Sequence, residues 1–180
     1  MSMTKSAAVY GEALYGLARD EGVSQRILEE MTALNGIFSK NSEYLRLLSA
    51  PSIPKQERCR LLDEAMQGVH PYLLNFLKIL TERGSIGAFS GCCESYRTLY
   101  NEANNILPVK AVTAVPMSDE LKARLTARLE QVTGKQVELT CKVDQDALGG
   151  VRLDLDGKRL DGTVRHRIDE IRGILKNTVL

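Results

Sequence analysis

The sequence predicts an α+β fold, an N-terminal six-helix bundle followed by a small C-terminal α/β domain. Two observations carry this. Apolar residues recur at helical spacing from Lys5 to about Asn104, and after Leu107-Pro108 they change to strand-like alternation around one further helix. The length, 180 residues, suits one large domain or two small ones. The domains are accordingly set at 1–105 and 106–180.

Helical periodicity runs through Ala7 to Asp20 and then Val23 to Lys40, with Gly22 marking the break. A short segment, Glu43 to Ser49, ends before Ala50-Pro51. Pro54 suits a first helical turn, and Leu61, Leu62, Ala65 and Met66 follow before Gly68. His70-Pro71 opens a helix that Arg83-Gly84 closes, a basic last turn followed by a glycine cap. The sixth helix runs from Ile86 to Asn104. Beyond it, Val109, Ala111, Thr113 and Val115 alternate as a strand, and Ser118 caps a helix reaching Val132. Val137, Leu139, Cys141 and Val143 alternate again, as do Val151, Leu153 and Leu155. Asp156-Gly157 signals a tight hairpin, and a closing helix begins at Thr163 with Ile168, Ile171, Ile174 and Leu175 on one side.

The composition is 43% hydrophobic and 26% charged, enough to bury a core. Residues 1–104 carry 11 basic and 12 acidic side chains, and residues 105–180 carry 13 and 11. Neither half has the basic surplus of a nucleic-acid binder. That weighs against a helical RNA-binding module, which would also leave the second half unexplained. No run approaches the ~18 apolar residues that span a bilayer. The N-terminus has neither a signal-peptide core nor an Arg-rich transit pattern, so a cytosolic protein is expected.

Residues that could carry chemistry are few. His70 before Pro71 reads as a cap or packing group, and His166 between Arg165 and Arg167 as solvated, with pH sensing as the alternative. Cys59, Cys92, Cys93 and Cys141 form no C-x-x-C pair and read as reduced, buried, small hydrophobes. Asp144, Asp146, Asp154 and Asp156 alternate with apolar residues and open no calcium loop. Gly149-Gly150 lacks the Lys-Ser/Thr of a phosphate loop and reads as a bulge or close backbone approach. A small transferase or nucleotide-dependent enzyme is disfavoured for the same reasons.

Two helices have apolar faces wider than a bundle position needs. On the first, Ala13, Leu17, Tyr10, Leu14, Ala7, Ala18, Gly11, Tyr15 and Ala8 cover an arc of roughly 220°; on the fifth, Ile79, Tyr72, Phe76, Leu80, Leu73, Leu77 and Leu74 do the same. A surface helix needs a stripe only a little over ~100° wide. Either both helices lie centrally and are covered by their siblings, or part of each face stays open as a groove for a partner helix. In the second case small residues such as Ala7, Gly11 and Ala13 would let a partner backbone come close.

Three segments resemble a known family. A-A-V-Y-G-E-A-L-Y-G-L-A from Ala7 is similar to the opening helix of ATP synthase delta subunits and their mitochondrial counterpart, the oligomycin-sensitivity-conferring protein. N-F-L-K-I-L-T-E-R-G from Asn75 resembles the family's fifth helix and its glycine stop. V-D-Q-D-A-L-G-G-V-R-L, then D-G-K-R-L-D-G-T-V-R-H-R-I, resembles the family's most specific pattern, with Thr163 where serine is commoner. The resemblance covers essentially the whole length.

It implies a non-catalytic peripheral-stalk subunit of the ATP synthase complex, without cofactor or metal, on the cytoplasmic side of the cell membrane and touching the membrane only through partners. The N-terminal helix of an alpha subunit would lie in a groove formed by Tyr10, Ala13, Leu17, Phe76 and Ile79. The second domain would meet the C-termini of the b subunits. Its signature residues are Leu148, Gly149, Gly150, Asp161, Gly162 and Arg165, of which Gly149, Gly150, Asp161 and Gly162 would be chiefly structural. The connector would keep the catalytic head from turning with the rotor.

Overall fold

The structure, a computed structural model, describes residues 5–144, 150–155 and 158–161. The fold is α+β, and the chain divides into two compact units, Met1–Tyr100 and Asn101–Leu180.

The first unit is helical: α1 (Lys5–Asp20), α2 (Ser24–Lys40), α3 (Ser42–Ser49), α4 (Lys55–Ala65), α5 (Pro71–Glu82) and α6 (Phe89–Ala103), the last running on past the unit's boundary. The expected sixth helix is split, because Ile86–Ala88 form a separate 3-10 turn ahead of α6. Local chemistry sets the ends. Gly84 has φ +66°, and Ser85 N–H bonds Leu80 O (2.7 Å) while Gly84 N–H bonds Thr81 O (3.1 Å), a Schellman end for α5. Pro71 starts that helix, and His70 Nδ1 accepts from Tyr72 N–H at 3.3 Å, so His70 is a cap. Its own N–H donates to Glu30 of α2.

The core is built from side chains of every one of these helices. Tyr15 and Tyr96 meet edge to face at 5.4 Å, and Tyr96 Oη donates to Ser24 O, tying α6 to the start of α2. Phe38 and Phe89 pack at 5.3 Å. The backbones of α1 and α6 come unusually close. A Cβ on Gly11 would stand 2.7 Å from Cys92 O and 2.8 Å from Ser95 Cβ, and Ser95 Oγ donates to Ala8 O.

Arg58 of α4 is buried, 6% exposed. Its Nη1 donates to Leu48 O (2.9 Å) near the end of α3 and to Thr81 O (3.2 Å) near the end of α5. Both acceptors belong to the last turns of their helices, where backbone carbonyls lack helical partners and carry the negative end of the dipole.

The second unit holds a mixed sheet ordered β2-β1-β3-β4, from β1 (Ile106–Thr113), β2 (Gln136–Val143), β3 (Val151–Leu155) and β4 (Lys158–Asp161). β1 and β2 run parallel, joined through α7 (Asp119–Thr133); β1–β3 and β3–β4 are antiparallel. Ser118 Oγ accepts from Leu121 N–H and Gly134 (φ +67°) closes α7, as the sequence predicts. β1 begins earlier than expected and includes Pro108, which β3 does not reach among the described residues, so its missing N–H is tolerated there. It also ends earlier: Val115 lies beyond Thr113, is exposed, and its carbonyl accepts from Thr113 Oγ1. On β2 the first outward amide, Val137 N–H, is taken by Glu130 Oε1 of α7 at 3.0 Å.

Leu155 pairs with Lys158, leaving two residues for the connection. Asp156-Gly157 themselves, and the closing helix expected from Thr163, lie outside the described residues.

Candidate functional site

α1 and α5 are neighbours, and their apolar faces are neither wholly covered nor wholly open. On α1, Ala7, Leu14, Tyr15 and Ala18 are buried against the rest of the unit. Ala13 is exposed and Leu17 is 44% exposed, with Tyr10 half-buried beside them. On α5, Leu73, Leu77 and Leu80 are buried, while Ile79 is 46% exposed. The Phe76 ring is buried and meets Tyr10 edge to face at 6.5 Å. Tyr10 and Phe76 thus join the two helices, and Ala13, Leu17 and Ile79 present uncovered apolar surface. All five predicted groove residues lie on this helix pair.

One expectation is corrected. Ala7 and Gly11 do not await a partner backbone. Gly11 is pressed against Cys92 and Ser95, and Ala7 Cβ lies 3.0 Å from where Gly91 would carry a Cβ. Their smallness serves α6, leaving Ala13 as the small residue on the open side. One residue was missed. Val9, 63% exposed, continues the uncovered ridge, and its spacing to Ala13 and Leu17 (i, i+4, i+8) was the signal.

Two polar contacts tie α5 to α4. Lys78 pairs with Asp63 of α4 at 2.6 Å, and Cys59 Sγ of α4 lies 3.8 Å from Glu82 Oε1. The four cysteines separate into two kinds. Cys92 and Cys93 are buried, and burial pushes their thiols up to about 11 and about 12; Cys59 and Cys141 are only half-buried, against expectation. Thiols so raised stay protonated and unreactive near neutrality.

In the second unit, Gly150 has φ +84°, a conformation that explains a glycine at the entry to β3. Asp161 closes β4 opposite Arg152. Leu148, Gly149, Gly162 and Arg165 lie outside the described residues, as do Asp146, Asp156 and His166. Among the described residues no three His, Cys, Asp or Glu side chains gather as a metal site would require. Among them also, no helix is long and apolar enough to cross a membrane. Two concavities lie elsewhere: about 790 Å³ along α7, and about 470 Å³ lined by Leu34, Ile37, Phe38, Tyr44 and Met66.

Comparison with known proteins gives a consistent result. The model of the ATP synthase delta (OSCP) subunit family matches residues 7–175. An ATP synthase subunit delta of Moorella thermoacetica is 28% identical, covering 98% of this chain and 99% of its own. That of Lactobacillus johnsonii is 31% identical over 96% and 95%. Among solved structures, a chain of the Toxoplasma gondii mitochondrial ATP synthase hexamer shares the fold at TM-score 0.74, with 18% identity over 96% of this chain and 98% of that one.

Proposed function

The chain belongs to the ATP synthase delta (OSCP) subunit family, and from that premise we propose that it is the non-catalytic stator subunit joining the catalytic head of an F-type synthase to the b subunits. Its helical domain, set by the sequence at residues 1–105, receives the N-terminal helix of an alpha subunit; its second domain, set at 106–180, holds the C-termini of the b subunits. It works on the cytoplasmic side of the cell membrane, reaching the membrane only through the complex. The role needs a surface and no reactive group: a part that resists rotation must bind firmly at both ends.

The observation supporting the head-binding end is the uncovered ridge of Val9, Ala13, Leu17 and Ile79 beside the Tyr10–Phe76 contact. An amphipathic helix laid there exchanges water for apolar contact, which favours binding at roughly 25 cal/mol per Å² before the entropic costs of association. A standard specific interface buries about 800 Å² on each partner.

Titration with an N-terminal peptide of the cognate alpha subunit tests the reading. Ala13→Asp and Ile79→Asp place a carboxylate where binding removes water, and each is expected to weaken affinity by about tenfold or more. Unchanged affinity in both variants removes the groove assignment.

A further inference from the structure

Arg58 stands out because its burial is unbalanced by any acid. It is 6% exposed, and among the described residues no carboxylate pairs with it. Its charge rests on two backbone carbonyls, Leu48 O and Thr81 O. Arg58 Nε and the Thr81 hydroxyl are both buried without a hydrogen-bond partner. A buried cation so incompletely satisfied is a poor source of stability, and an apolar side chain of similar volume is often as good or better. Its two contacts point to geometry instead.

The geometry it sets is that of α5. Thr81 O already accepts Gly84 N–H in the Schellman end, so the guanidinium is fastened to the most closely determined part of the helix. α5 is a rigid rod only 12 residues long. Fixing the height and rotation of its C-terminal end fixes where Phe76 and Ile79 stand opposite Tyr10, Ala13 and Leu17. One nitrogen, Nη1, meets the ends of α3 and α5 at once, and the rigid guanidinium fixes where it stands, whereas a lysine ammonium sits on a flexible stem. The Lys78–Asp63 pair adds a second tie from α4 to α5.

We propose that Arg58 is a positioning residue for the α1–α5 docking surface, setting its α5 side through the carbonyl ends of two helices. This rests on the docking reading above, so the test has one arm with the alpha-subunit peptide and one without it. The full chain carries Arg58→Met, Arg58→Lys or, as a comparator, Phe89→Ala, which opens a cavity at a buried side chain packed on Phe38 and belongs to neither Arg58 contact. All are measured well below their unfolding transitions.

In the first arm, Arg58→Met is expected to lose about tenfold in peptide affinity and Arg58→Lys several-fold, while Phe89→Ala binds as wild type despite a lower melting temperature. In the second, the Tyr10 ring resonances, which the edge-on Phe76 ring influences, shift in both Arg58 variants and stay put in Phe89→Ala. Arg58 variants with wild-type affinity and wild-type Tyr10 resonances overturn the proposal, as does a Phe89→Ala protein that loses affinity and shifts the resonances as the Arg58 variants do. If Arg58→Met does not fold, the lysine variant decides. A wild-type chain that ignores the peptide overturns the docking reading instead; the ring resonances still judge whether Arg58 sets α5.

Discussion

Replacing Gly11 with alanine puts the packing of α1 on α6 to a direct test. The added Cβ would stand 2.7 Å from Cys92 O and 2.8 Å from Ser95 Cβ. Ordinary contact begins near 3.4 Å, so the two helices must part by roughly 0.7 Å or bend. One obstacle is a backbone carbonyl, which cannot swing aside as a side-chain tip does. Overpacking of this kind costs about 1–3 kcal/mol. Alanine returns about 0.5–1 kcal/mol through its better helix propensity. The net loss centres on about 1 kcal/mol and reaches at most about 2.5, and each kcal/mol lowers the midpoint of a unit this size by ~4–8 °C. Gly16 in the same helix has nothing within 4 Å of its would-be Cβ, so Gly16→Ala is expected to stabilise by about 0.5–1 kcal/mol. All six tyrosines lie at or before Tyr100, so tyrosine fluorescence follows the helical unit alone during denaturation. If the two variants shift the midpoint in the same direction by similar amounts, the close approach of α1 and α6 is wrong.

Stability is expected to fall as pH rises above about 9. The unfolded thiols of Cys92 and Cys93 ionise near 9.0, while burial holds the folded ones near 11 and 12; only the unfolded state then loses protons, by at most about 1.4 kcal/mol per pH unit for each group. Denaturation at several alkaline pH values should show a shallower decline in a Cys92→Ala, Cys93→Ala double variant, and parallel declines would refute the assignment. With a thiol reagent on the native protein, half-buried Cys59 and Cys141 should be modified before Cys92 and Cys93, as peptide mass analysis would show. Ser118→Ala removes the hydroxyl that accepts Leu121 N–H and should cost α7 about 1 kcal/mol. Faster hydrogen exchange at Leu121 is the readout, and an unchanged rate would show the cap to be idle.

What was legible in the sequence was mostly local. Pro71, Gly84, Ser118 and Gly134 each act through their own backbone geometry, so reading them needs no knowledge of neighbours. The strand β1 shows the limit. Alternation in the sequence runs on to Val115, but Thr113 ends the ladder, and Pro108 is admitted because of which strand does not reach it. The wide faces of α1 and α5 were visible in composition, yet not which part their own siblings would cover. Ala7, Gly11 and Ala13 looked alike as small residues, and the tertiary placement of α6 separates them. Arg58 gave no signal at all. A charged residue in an ordinary helix reads as solvated until the ends of two other helices are found at its tip.

The carboxylate of Glu130 on Val137 N–H bears on how this protein behaves when made apart from its partners. Among the described residues β2 is an outer strand of the sheet, and an outer strand offers its spare amides and carbonyls to any chain that can line up along it, the usual first step toward fibrils. Here the rung at which such a stranger would start is already occupied from within. Further along, Glu138 and Lys142 set charges of opposite sign in its way. The same carboxylate that ties α7 to β2 thus also works against edge-to-edge pairing between copies of this chain.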